Sequence, residues 1–215
     1  MKAARRDTRP ALAGIADRCS VGRHATREDP LIRTERLELV PATVVTAQAA
    51  LDGPEPLAAA LHAVVPDTWP PDLLDEPALQ FTLARLAASI TEASWWMYFI
   101  ILPGAERGRT LIGSAGYKGP PTADGTVEVG YGIVRDHQRR GYASEATRGL
   151  VARAFQHPEV RRVIAETLPE LTPSIGVLRT CGFRFIGEGS EAGVIRYEIT
   201  REEYARAPGG SAWPS

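Results

Sequence analysis

Lysine is nearly absent from this 215-residue chain: of its 25 basic residues only Lys2 and Lys118 are lysines, and the rest are arginines. Cysteine is as scarce. Cys19 and Cys181 lie far apart in unlike contexts, and no Cys/His spacing matches a metal site, so neither a disulfide framework nor a zinc site is expected. A reducing, cytosolic setting fits. The longest apolar run, residues 95–102, falls far short of the ~20 residues that span a bilayer, which argues against a membrane protein. The first thirty residues hold Arg5, Arg6 and Arg9 but no continuous apolar stretch, so they do not compose a secretory signal. With 26 acidic residues the formal charge is −1, which gives no global electrostatic case for nucleic acid. The 44% hydrophobic content suffices for one sizeable core, and a second full domain is not expected.

What is present is a strand-like run joined to a helix by an arginine-rich glycine turn. Val127, Val129, Tyr131 and Ile133 alternate with Glu128, Gly130 and Gly132, the pattern of a half-buried strand. From residue 143 to 155, Ala143, Ala146, Thr147, Leu150, Val151 and Ala154 recur at helical spacing. Gln138, Arg139, Arg140, Gly141, Tyr142, Ala143 and Ser144 connect the two. A helix N-terminus carries unpaired N–H groups and partial positive charge, so an anion there satisfies donors that otherwise need water. Gly141 allows close backbone approach, and Arg135, Arg139 and Arg140 supply planar donors suited to phosphate oxygens. From spacing alone, the turn reads equally as a phosphate-binding loop or as a solvated turn with glycine for geometry.

Residues 1–30 are charged and weakly periodic, and read as a flexible extension that serves either as a partner-binding arm or as an overlong start. A first strand is expected at 37–40, a helix capped near Thr43 over 43–51, a second at 55–63 and a third at 77–91. The three-proline stretch 64–72 between the second and third is a stiff acidic loop around Trp69. Strands at 95–102, 110–117 and 126–134 run in series as antiparallel neighbours, followed by strands at 162–167, 183–187 and 194–199. A helix at 174–181 precedes Gly182, and a Thr200/Glu203 capping box opens a last short helix. Residues 206–215 read as a loose tail.

Three pieces in this order resemble the GNAT superfamily of acyl-CoA-dependent N-acetyltransferases, over about residues 31–205. They are Thr34-Glu35-Arg36-Leu37-Glu38-Leu39; Glu128-Val129-Gly130-Tyr131 followed by Gln138-x-x-Gly141-x-Ala143 with Glu145-Ala146; and residues 174–183, ending in Gly182-Phe183. Together they look like the ribosomal-protein-acetylating, RimJ/RimL-like branch. The resemblance implies an α+β fold with a strongly twisted mixed sheet, splayed central strands at 126–134 and 162–167, and helices on both faces. It also implies acetyl-CoA as co-substrate and no metal. The pyrophosphate would sit on amides between Arg139 and Ser144, with Ile133 and Val134 hydrogen-bonding the pantetheine as an added strand would, and one of their amides facing the oxyanion.

Acetyl transfer needs a neutral amine, and a lysine with reference pKa ~10.4 is mostly charged at neutral pH, so some group must accept the proton. Glu128, flanked on its strand face by glycines, is the candidate base; the alternative is a solvated strand-face glutamate. Glu188 and Glu191 are reserves. Ser174 could donate to the sulfur or cap its helix. Many relatives carry Tyr where this chain has Leu178, and Asn where it has Leu171. Cys181 reads as packing rather than a nucleophile, and His137 as an exposed loop residue. Trp69 and Asp67 belong to a loop that the resemblance places beside the acceptor pocket, where carboxylates and an indole suit a cationic amine; helix capping and packing are the alternative. The expected partner is a small-molecule or peptide amine, with no nucleic acid and no membrane, and a homodimer is compatible with the sequence. A catalytically idle acyl-CoA-binding module is the rival from another class, and a nucleotide-phosphate binder unrelated to CoA is a third reading.

Overall fold

The computed structural model describes residues 31–104 and 108–206. The expectations for residues 1–30 and 207–215 lie outside the described residues. Strands β1 (Ile32–Arg33) and β2 (Glu38–Pro41) lead into helices α1 (Val44–Asp52), α2 (Pro54–Leu61) and α3 (Glu76–Ala88). Then come β3 (Met97–Leu102), β4 (Thr110–Tyr117), β5 (Thr126–Ile133), α4 (Tyr142–Phe155), β6 (Arg162–Thr167), α5 (Thr172–Thr180), β7 (Arg184–Glu188), β8 (Ile195–Thr200) and α6 (Arg201–Arg206). Thr43 caps α1, accepting from the Thr46 amide, as its position before the apolar run predicts. The expected third helix is shorter: α3 stops at Ala88 and a tight 3₁₀ segment, Ile90–Trp95, carries the chain into β3.

The strands form one sheet in the order β1-β2-β3-β4-β5-β6-β8-β7. Every neighbouring pair is antiparallel except β5 and β6, which run parallel and are joined over the sheet by α4. One face carries Tyr98, Ile100, Ala115, Val127 and Val129 against Leu150, Val151 and Ala154 of α4 and Leu178 of α5. The other carries Met97, Phe99, Ile101 and Leu111 against Leu57, Leu61, Leu79 and Leu86 of the first three helices. Two apolar layers on a pleated sheet follow from the period-2 pattern of its strands, and each fully buried Leu or Phe contributes roughly 1.5–3 kcal/mol. Tyr117 brings a polar group into the core, and its hydroxyl donates to the Leu150 carbonyl at 2.6 Å.

The parallel pairing decides where the function can sit. β5 and β6 are in register only at Thr126–Arg162, Val127–Val163 and Glu128–Ile164. Beyond Glu128 the strands diverge, leaving one side of the second half of β5 unpaired within the sheet.

Candidate active site

Backbone groups on β5 alternate in direction. The Lys118 amide donates to the Glu128 carbonyl and the Val134 amide to the Ile112 carbonyl, both at 2.9 Å, so even-numbered residues face β4. Val129, Tyr131 and Ile133 therefore turn their N–H and C=O groups into the gap. This corrects the expectation for Val134, whose amide is already engaged. At Ile133 the carbonyl accepts Nε2 of Gln138 at 2.9 Å, so the Gln138 side chain braces the loop. Tyr131 was missed as a backbone donor because ladder parity is invisible until register is known.

At the end of β5 the chain turns into α4 through Arg139 and Gly141, both left-handed at φ 58° and 82°. Gly141 is the N-cap and offers no side-chain cap. The first helical bond runs from the Glu145 amide to the Gly141 carbonyl at 3.0 Å. The amides of Tyr142, Ala143 and Ser144 thus meet no acceptor among the described residues, which is the donor set an anion needs. Arg135, Arg139 and Arg140 are exposed and make no carboxylate ion pair among the described residues. These residues fit the pyrophosphate of an acyl-CoA. His137 is not the exposed histidine expected. It is half-buried with Nδ1 shielded and unpartnered, and burial, aided by the Arg140 charge, pushes its pKa down, so the ring adds no positive charge at neutral pH.

On the opposite face of β5, Gly132 is roofed: a Cβ there would lie 3.1 Å from Pro71 Cβ. Gly130 is open, and a Cβ on it would meet nothing within 4 Å. Glu128 borders that opening, but its carboxylate is not flanked by backbone alone; Lys118, just past the end of β4, forms an ion pair with Oε1. In the nearby loop Trp69 and Asp75 follow the packing and capping alternative. Trp69 is half-buried with its ring centroid 6.0 Å from that of Phe99, so it anchors the loop on the sheet, whereas Asp67 is exposed. Asp75 caps α3 through the Ala78 amide at 3.0 Å.

Across the gap, Ser174 does not cap α5; Leu171 occupies that position and Ser174 lies in the first turn. Its Oγ sits 3.2 Å from the Tyr131 hydroxyl, which is also 3.1 Å from the Ser174 carbonyl. Burial pushes the Tyr131 phenol up to about 12, more than the Ser174 hydrogen bond lowers it. Leu178, one helical turn on, is fully buried. Cys181 is 1% exposed, its Sγ 3.3 Å from the Ser144 carbonyl, and burial raises its pKa to about 11, the state of a packed thiol rather than a nucleophile. Glu188 and Glu191 are exposed. Among the described residues no group of three or more His, Cys, Asp or Glu could hold a metal ion, and no helix is long and apolar enough to cross a membrane.

The family and the fold are shared with known proteins. Residues 46–184 match the acetyltransferase (GNAT) domain family, more than half of the chain, and the chain belongs to that family. The uncharacterized N-acetyltransferase p20 of Bacillus licheniformis is 31% identical over 103 residues, 44% of this chain and 58% of the relative. The chain spans about half the length of the curated relatives it matches. A GNAT-family acetyltransferase of Bacillus anthracis superposes with a TM-score of 0.55 at 22% identity, covering 80% of this chain and 99% of the other. Mycobacterium smegmatis RimJ, solved in complex with CoA-disulfide, gives 0.51 at 23% identity over 78% of this chain and 83% of its own. At such identities the likeness establishes the mixed α/β fold.

Proposed function

We propose that this chain is an acetyl-CoA-dependent N-acetyltransferase of the Rim-like branch, with residues 31–205 as its catalytic domain, and that it acts on a primary amine by direct attack in a ternary complex. The observation that carries this reading is the gap beyond Glu128 and Ile164, which ends at the uncapped N-terminus of α4. Residues 139–144, with their arginines, hold the pyrophosphate. The Ile133 amide pairs with the pantetheine as a strand would, and the Tyr131 amide, two residues nearer Glu128 on the same edge, stabilises the thioester oxyanion.

The acceptor enters over the open face of Gly130, beside the loop of Asp67 and Trp69. Its nitrogen loses a proton to Glu128, directly or through water, and bonds the thioester carbon as the carbon–sulfur bond breaks. The departing thiolate takes hydrogen bonds from the Ser174 hydroxyl and from the Tyr131 hydroxyl, which gives up its bond to the Ser174 carbonyl, and the two stand in for the side chain missing at Leu178. The acceptor is a protein N-terminus or a small-molecule amine. Free-thiol release from acetyl-CoA, measured against pooled N-terminal peptides, lysine peptides, polyamines, amino acids and aminoglycosides, tests the reading; release above background hydrolysis with at least one pool is the expected result.

The ion pair between Lys118 and Glu128 favours one rival, an acyl-CoA-binding module without turnover, because it engages the candidate base. A rise in melting temperature with CoA and silence from every amine pool would support that rival.

A further inference from the structure

The turn between β1 and β2 touches the coenzyme loop through one side chain. Arg36 donates from Nε to Glu145 Oε2 at 2.7 Å, with Nη2 2.6 Å from the same oxygen, while its own amide donates to Oε1 at 2.7 Å. Thr34 Oγ1 adds a fourth donor to Oε1 at 2.6 Å. The remaining nitrogen of Arg36, Nη1, reaches the Arg140 carbonyl at 3.1 Å, and its guanidinium lies 4.7 Å from the Tyr142 ring centroid. Gly141 sits directly under it, since a Cβ there would be 3.3 Å from Nη2.

Glu145 stands in the first turn of α4, one residue past the amides that meet no acceptor. A carboxylate there interacts well with the helix dipole, but it competes with a bound pyrophosphate for that same positive end. Its side chain is only 12% exposed, so its charge is weakly screened unless a cation answers it. Arg36 answers it and at the same time engages the Arg140 carbonyl through Nη1.

Resting on the coenzyme assignment above, we infer that Arg36 is a positioning residue for the coenzyme loop: it neutralises Glu145 and fixes Arg140 and Gly141 so that the loop amides point at the pyrophosphate. Attachment of β1 to α4 does not depend on it alone, because Gly149 already admits Thr34 and Ile32 to van der Waals contact with the helix. The clamp thus acts on ligand charge as well as on folding.

The test is calorimetric titration of the full chain with CoA, comparing the parent, Arg36→Gln, Glu145→Gln and the double variant, with apo melting temperatures alongside. Arg36→Gln should weaken CoA roughly tenfold, or about 1.4 kcal/mol, by leaving Glu145 unanswered. Adding Glu145→Gln should recover part of that affinity although it removes further native contacts and lowers the apo melting temperature. Affinity within twofold of the parent in Arg36→Gln, or a double variant weaker than Arg36→Gln, overturns the clamp and leaves the pair as scaffold. A parent that does not bind CoA instead overturns the coenzyme assignment, and the clamp with it.

Discussion

The Tyr131 hydroxyl lies 3.2 Å from Ser174 Oγ, tying β5 to the first turn of α5 across the opening in the sheet. Because burial keeps the phenol protonated up to about pH 12, it is a hydrogen-bond donor throughout any ordinary assay. Tyr131→Phe should lower kcat about ten- to a hundredfold with little change in CoA affinity, since a hydrogen bond to a charged group contributes about 1.5–3 kcal/mol. Full turnover in this variant would remove the pair from thiolate stabilisation.

Glu128→Gln keeps the size of the side chain and removes its capacity to accept an amine proton. Turnover on the true acceptor should fall by about 10²- to 10⁴-fold, with CoA-induced stabilisation unchanged. An undiminished rate would assign Glu128 to its ion pair with Lys118 alone.

Gly141 sits at φ 82°. Gly141→Ala should destabilise the fold by about 1–2 kcal/mol in urea denaturation, because a side chain disfavours the left-handed region. CoA affinity should fall with it, since the new methyl group crowds Arg36. A stability equal to the parent would mean that the turn relaxes to another conformation.

Acid should loosen the β7–β8 hairpin through Glu166. Burial alone would raise its pKa, but the Ser190 hydroxyl and amide and the Arg196 guanidinium outweigh it and hold the carboxyl below its ordinary range. A depressed folded-state pKa supplies stability that is complete above the unfolded-state value of ~4.3 and is lost as pH falls through the folded-state value. Amide exchange at Ser190 should accelerate below that range, and Glu166→Gln should flatten the dependence. Exchange at Ser190 that is independent of pH after correction for intrinsic rates would contradict this.

Cys181→Ala should leave transfer intact. A thiol pushed up to about 11 is protonated at neutral pH, and its Sγ is buried 3.3 Å from the Ser144 carbonyl. Loss of turnover with normal folding would revive a covalent acyl-enzyme.

Sequence alone was sufficient for the elements whose cause is local. The strands at 110–117 and 162–167 match β4 and β6, and the Thr43 and Thr200/Glu203 caps are in place, because alternation and capping involve residues a few positions apart. The glycine turn into α4 was legible for the same reason. Tertiary structure decided the rest. The Val134 amide is consumed by Ile112, Lys118 meets Glu128, Tyr131 finds Ser174 and Arg36 finds Glu145 109 positions away. Each of these depends on strand register, on where the parallel pair opens, or on which helix crosses which strand, and a period along the chain fixes none of them. Sequence determined the strand-turn-helix, because its causes are local; only the divergence of β5 from β6 after Glu128 left unpaired backbone groups beside it.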